Sequence, residues 1–347
     1  MTIKTITSLT CLAACFCLAR PVLAWNGQGH MVVAQIAYNH LDPAVKAKCD
    51  ALIALPPPCD SVSHTFVSDS TWADNRCESW TSSQHYIDIP ISLDGYPTNG
   101  VANDSTNVVT AIRQYTAILQ DPTANPTNQA TALRYLIHFC GDITQPCHAS
   151  TGVCTNMPTG DVGGNHFYLN GTWSELHALW DAGGGFLTDG ASVSNKAAAV
   201  EAAYPYTFSV GSIPDPMTWA LESHGIAATV AYVGISSNTT PSVAYTNAAQ
   251  ATTAQRMAIG GQRLAKLLNT IYVTNAPVAT STAFTGPNFS FSWTSVSGRT
   301  YRVQWKQDLT ATNWTDLTDI TASTTSTTFT TNSVTLPQQF FRAIVVN

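Results

Sequence analysis

Charge is scarce in this sequence. Only 10% of its 347 residues are Asp, Glu, Lys or Arg, against roughly a quarter in an ordinary soluble domain. The 15 Lys and Arg are outnumbered by 21 Asp and Glu, so the basic footprint of most proteins that grip phosphate backbones is missing. The nine cysteines include no Cys-x2-Cys pair, which argues against a thiolate zinc site. No apolar run reaches the roughly 20 residues that span a bilayer; the longest, from Ile6 to about Ala19, falls short. Thr, Ser, Asn and Ala are abundant instead, a composition that suits an exported protein, and no membrane partner is expected.

The apolar stretch follows Lys4 and ends at Val22-x-Ala24, the charged, apolar, small-residue order of a secretory signal. Residues 1–24 are therefore expected to be removed and the chain secreted, to the periplasm or beyond. A lipid-attachment reading at Leu12-Ala13-Ala14-Cys15 competes with this, and it would leave Trp25 inside the chain. Signal removal takes away Lys4, Arg20 and no acid, making the balance more acidic still. It leaves Cys49, Cys59, Cys77, Cys140, Cys147 and Cys154, an even number that in a secreted chain predicts disulfides. Cys49–Cys59, bracketing Pro56-Pro57-Pro58, is the easiest local pairing.

Two textures follow. From Gly29 to about Tyr272, apolar residues recur at helical spacing, as in Val32, Ile36 and His40, in Val109, Ile112, Tyr115 and Leu119, and in Ile259, Leu264 and Leu268. Gly, Pro and Asn-rich loops separate these runs. This predicts a mainly α domain over 25–272, a linker over 273–283, and a small all-β sandwich over 284–347. In the last part Phe289, Phe291 and Trp293, then Tyr301, Val303 and Trp305, alternate with polar residues, and Phe340 to Val346 reads as a final strand. The β-segment resembles the fibronectin-like modules appended to many secreted enzymes, and no catalytic cluster is evident in it.

Histidine and aspartate carry the chemistry. His138 and Asp142 are four apart, as are His177 and Asp181, so on helices each pair projects from one face. Imidazole with carboxylate suits Zn²⁺. One such pair alone reads more simply as a surface ion pair, but His148 follows the first pair closely. Asp74 in Trp72-Ala73-Asp74 and His85 in Gln84-His85-Tyr86-Ile87-Asp88 are each weak signals, readable as a cap and a core histidine. Trp25 opens Trp25-Asn26-Gly27-Gln28-Gly29-His30; freed at the N-terminus, its α-amine and carbonyl oxygen could join His30 on a metal. His40, His64, His166 and His224 fall outside these motifs and read as structural.

In order and spacing these pieces resemble the zinc-dependent S1/P1 nuclease family: an N-terminal Trp with His five residues on, Trp-Ala-Asp, His-aromatic-Ile, His-Phe-x-Gly-Asp-x-x-Gln-Pro-x-His, Gly-Gly-Asn and His-x3-Asp, all between Trp25 and Asp181. The resemblance implies a phospholipase C/P1 nuclease-like helical domain and three zinc ions. Asp74, His85, His138 and Asp142 would hold the first, Asp142 bridging to a second on Trp25 and His30, while His148, His177 and Asp181 would hold the third. Asp74 and Asp142 would be the catalytic carboxylates, Tyr86 would stack on a nucleobase, and Asp88 would contact its edge. Hydrolysis of single-stranded DNA and RNA to 5′-phosphate products, with 3′-nucleotidase activity, by a monomer is what this implies. Metal charge would also offset the missing basic footprint.

The chain departs from the family at Arg76, which stands two residues after Asp74 where the family commonly has arginine three residues on; a one-residue shift turns a helical side chain by about 100°. A zinc phospholipase C is the rival enzyme, but its Trp-to-His spacing is longer and its last ligand is typically glutamate where Asp181 stands. A non-enzymatic adhesin with a structural zinc cluster is the rival of another class.

Overall fold

The computed structural model describes residues 25–58, 64–74, 79–102, 105–207, 215–273, 277–295, 300–332 and 338–345. The expected signal segment 1–24, Cys59, Cys77 and Arg76 lie outside them.

The helical part starts at α1 (Gly27–Asn39), where the Asn26 side chain accepts the Gly29 N–H at 3.1 Å, a standard way to satisfy a first-turn donor. It continues through α2 (Pro43–Ile53), α3 (Val108–Gln120) and α4 (Pro126–Asp142). Asn107 caps α3 in a reciprocal box with Thr110. Pro126 opens α4 behind the Asn125 cap, where its missing N–H costs nothing. After these come α5 (Leu176–Asp181), α6 (Val193–Ala203), α7 (Pro216–Ile226) and the 31-residue α8 (Val243–Val273).

Helix α4 is the axis of the domain. From Ala132 to Asp142 every residue is buried, the all-round burial of a central helix. Leu133, Leu136 and Phe139 join Trp72, Leu119, Leu264 and Leu268 in the largest core cluster. Arg134 is buried too; its Nε donates to Asp69 at 2.7 Å and its Nη2 to the Ile53 and Leu55 carbonyls at 2.9 and 2.7 Å, so its charge is paired rather than stranded. A second cluster gathers around Trp180 and Leu176, and a third around Trp25, Val33 and Met257. A short parallel pair, β1 (Pro90–Ser92) with β2 (Thr151–Val153), ties the loop after His85 to the segment after His148.

The C-terminal segment forms two three-stranded antiparallel sheets. One has the order β3 (Ala279–Thr285), β4 (Asn288–Thr294), β7 (Ser326–Asn332); the other β6 (Thr315–Thr321), β5 (Thr300–Lys306), β8 (Phe340–Val345). Their core includes Phe291, Trp293, Tyr301 and Val303, with Phe289 packed against it, as the alternation predicts; Trp305 stands outside the core, beyond a register shift between Val303 and Gln304. The expected linker over 273–283 needs correction. Residues 279–283 belong to β3, an edge strand whose side chains are all exposed, so no apolar alternation announces it.

The disulfide expectation also fails where it can be followed. Cys49, Cys140, Cys147 and Cys154 are free thiols. Cys49 and Cys140 pack in the largest core cluster while Cys147 packs in the second, each filling apolar space as a small hydrophobe. Burial pushes the Cys49 thiol up to about 12. Among the described residues no helix is long and apolar enough to cross a membrane.

Candidate metal centre

The C-terminal end of α4 carries the first donors. His138 Nδ1 lies 2.6 Å from the Ser70 carbonyl; since a carbonyl only accepts, Nδ1 holds a proton and Nε2 is the nitrogen turned to the site. Nε2 faces His85 Nδ1 at 3.1 Å, Asp142 Oδ2 at 3.3 Å and Asp74 Oδ1 at 3.4 Å. His30 stacks on His138 with ring centres 3.9 Å apart, and its Nε2 is 3.3 Å from Asp142 Oδ1. Asp142 thus divides its oxygens, Oδ1 toward His30 and Oδ2 toward His85, at 3.0 Å, and His138. Gly141 makes the approach possible, because a Cβ there would sit 2.8 Å from His30 Nδ1.

Apart from the His138 contacts to Ser70 and His85, these atoms are close without being aligned for hydrogen bonds. Both Asp142 oxygens, both His30 nitrogens and His85 Nε2 are buried without an aligned partner, and such groups cost roughly 1–3 kcal/mol each when left so. Burial works against charge on His138, yet Asp142 and then Asp74 outweigh it and hold the imidazole well above its usual range. Burial likewise works against the Asp142 carboxylate, but His138 and then His85 keep it well below the ordinary value. His30 is lowered to about 3 by burial and by His138, so it is neutral and able to donate a lone pair. The donor set fits a cation.

A second group stands on α5 and on the 3₁₀ turn Pro146–Ala149. His148 Nδ1 donates to the His85 carbonyl at 2.8 Å and His177 Nδ1 to the Gly163 carbonyl at 2.7 Å. Both Nε2 atoms are therefore lone pairs, and they face each other at 3.1 Å, an arrangement that repels unless a proton or a cation lies between. Asp181 Oδ1 is 3.6 Å from His177 Nε2 and accepts from Gln145 Nε2 at 2.8 Å. Burial pushes its carboxyl well up, with the Gln145 bond opposing and the charges of Asp74 and Asp142 adding. Three sets of donors each lie within 4.8 Å: His30, Asp74 and His138; His85, His138 and Asp142; His148, His177 and Asp181.

Trp25 is fully buried; its indole N–H donates to Thr144 Oγ1 at 3.3 Å, two residues past Asp142. The next N–H, of Asn26, donates to the Asp181 carbonyl at 3.0 Å. Residue 25 is therefore fastened to the ends of both ligand-bearing helices. Tyr86 and Asp88 line a pocket together with Cys147, Val162, Gly163 and His177, and the Ile87 N–H donates to the His148 carbonyl at 2.8 Å. Of the histidines outside the motifs, His40 pairs with Glu201, His64 with Asp69 and His224 with Ser150, while His166 is exposed.

Sequence reasoning missed the groups that hold these donors in place. Gln145 fixes Asp181 and also accepts the Cys147 N–H. Asp69 with Arg134 anchors the 3₁₀ turn Ser68–Thr71, whose Ser70 carbonyl sets the His138 tautomer. Asp161 and Val162 give no periodic signal, since both sit in a glycine-rich loop.

Imidazole and carboxylate donors grouped on a helical scaffold, beside a pocket with an aromatic ring and a carboxylate, make a site of the kind that metal-dependent hydrolases use. Residues 25–273 match the S1/P1 Nuclease family model, and the chain belongs to that family. Nuclease P1 of Penicillium citrinum is 28% identical over 280 residues, covering 72% of this chain and 98% of its own length. Endonuclease 1 of Arabidopsis thaliana is 28% identical over 302 residues, covering 76% and 92%. Nuclease S1 of Aspergillus oryzae is 28% identical over 176 residues, covering 49% and 57%. The protein is a nuclease, a hydrolase of nucleic acids.

Proposed function

We propose that this nuclease is a secreted, zinc-dependent endonuclease of single-stranded DNA and RNA that leaves 5′-phosphates and also acts on 3′-nucleotides. Its resident metal would be three zinc ions. Asp74, His85, His138 and Asp142 would hold the first, Asp142 would also serve the second together with His30 and the freed Trp25 terminus, and His148, His177 and Asp181 would hold the third. The observation that carries this reading is the division of the Asp142 oxygens between His30 on one side and His85 and His138 on the other. Bound there, zinc supplies an acidified water and positive charge against phosphate.

The chain's own residues do the positioning. The Ser70, His85 and Gly163 carbonyls hold the Nδ1 atoms of His138, His148 and His177, which turns each Nε2 toward the site as the nitrogen that would meet a metal. Tyr86 and Val162 line the pocket beside His177 and would take a base between them, while Asp88 would accept an N–H from its edge. A base in that pocket has left its stack, and unstacking costs a few kcal/mol in a duplex, so single strands are favoured. Water adds to phosphorus and the bond to the 3′-oxygen breaks, leaving the phosphate on the 5′ side.

The test is to strip the purified protein of metal, restore zinc, and supply single-stranded DNA, RNA, duplex DNA and a 3′-nucleotide. Zinc-restored cleavage of single strands with 5′-phosphate ends supports the reading. Products with 3′-phosphates, or no dependence on zinc, would contradict it.

A further inference from the structure

Asp161 belongs to none of the donor groups, yet it is fully buried and accepts hydrogen bonds from four directions. Its Oδ1 takes the Gly152 N–H at 2.7 Å and the Gly164 N–H at 2.9 Å, with the Thr151 hydroxyl at 3.3 Å. The Tyr232 hydroxyl donates across both oxygens, 3.0 Å from Oδ1 and 2.9 Å from Oδ2. Between Asp161 and Gly164 stands Gly163, whose carbonyl receives the His177 Nδ1 proton.

The loop they enclose is under constraint. Val162 has φ +58°, a left-handed conformation that a β-branched residue adopts only when its surroundings over-determine it. Gly163 follows at φ +60°, and a Cβ there would meet the Cys147 carbonyl at 2.6 Å. Asp161 grips the loop at its first residue and, through the Gly164 N–H, at its last. Tyr232 ends the single π-helical turn Ala227–Ala231, a local irregularity that aims its hydroxyl at the carboxylate; such turns recur at functional sites.

We propose that Asp161 and Tyr232 are positioning residues for the third ion. By fixing the Gly163 carbonyl they hold the His177 ring so that Nε2 faces His148 and Asp181. The proposal rests on reading His148, His177 and Asp181 as an ion site. Partners one step outside a metal's ligands commonly alter its affinity by 10–100-fold, and Tyr232 acts one bond network further out through Asp161, which places it toward the lower end.

The test is a zinc titration of the metal-free protein against a competing chelator, in the wild type, Tyr232→Phe, Asp161→Asn, His177→Ala, and His177→Ala combined with Tyr232→Phe. Tyr232→Phe removes one hydroxyl and keeps the ring that packs near Phe167, so folding is retained. It should weaken one ion about tenfold and leave the others at wild-type affinity. Asp161→Asn should weaken the same ion further. In the His177→Ala background, Tyr232→Phe should change no remaining affinity. Wild-type affinity for every ion in Tyr232→Phe, or equal weakening of all ions, would overturn the proposal. Retention of every ion by His177→Ala would remove the ion site itself and the proposal with it.

Discussion

At the scale of single residues Asp142 is central: among the described carboxylates of the site, its two oxygens face two donor sets. Asp142→Asn should therefore loosen two ions at once, whereas His177→Ala should cost one and spare the pair. We expect Asp142→Asn to lower kcat by at least about a hundredfold, since even outer partners of a metal can cost that much. Metal analysis of the two variants checks this, and equal losses would show that Asp142 does not bridge. Trp25 makes a second prediction. Its burial, and the Asn26 N–H held by the Asp181 carbonyl, place residue 25 between both ligand-bearing helix ends. An extra Met left ahead of it would convert the amine into an amide and should weaken the adjacent ion; unchanged zinc content and activity in the extended protein would rule out a terminal ligand.

At the scale of elements, spacing alone put His138 above Asp142 and His177 above Asp181, because four residues is a helical turn and both pairs lie on helices. Periodicity likewise announced α1, α3 and α8. Strand β3 was illegible because an exposed edge strand needs no apolar alternation. Asp161 was illegible because its meaning comes from Tyr232, 71 residues away, and no local pattern records such a contact. The free thiols were misread because buried cysteine and disulfide cysteine look alike in sequence.

The same elements set the pH response. In the metal-free fold, His138 is raised by Asp142 and Asp74 despite burial, and Asp142 is depressed by His138 despite burial. Their mutual stabilisation is full above the ordinary Asp value of about 4 and below the ordinary His value of about 6.5. It fades as pH falls through the depressed Asp142 value or rises through the elevated His138 value. Asp181, raised by burial, loses its contribution as pH rises through its own elevated value. Metal-free protein should accordingly melt at lower temperature as pH climbs above about 6.5. Zinc binding needs His138 and Asp181 deprotonated, so affinity should rise over the same range with protons released. Calorimetry in buffers of differing ionisation enthalpy reads that release, and proton-neutral binding would contradict the assignment.

At the scale of the whole molecule, the family match ends at residue 273 and every proposed ligand precedes residue 182. The β-segment has its own core in Phe291, Trp293, Tyr301 and Val303, as independent domains do. Ending the chain after Val273 should leave hydrolysis of a 3′-nucleotide within about twofold of the full chain, since the hydrogen bonds and ion pairs that hold the metal donors all come from residues before 274 among the described residues. A large loss on the mononucleotide in a truncated protein that is folded and zinc-loaded would show that the β-module completes the site. The low count of basic residues takes its place here as well. An acidic chain that hydrolyses a polyanion needs positive charge from elsewhere, and bound ions would supply it where it is used.

The most direct measurement is the number of zinc ions bound per chain in protein that begins at Trp25, by elemental analysis after removal of loosely held metal. Three are expected, falling to one in Asp142→Asn and to two in His177→Ala. A single ion in the wild type, or three retained in both variants, would contradict a three-ion site bridged by Asp142.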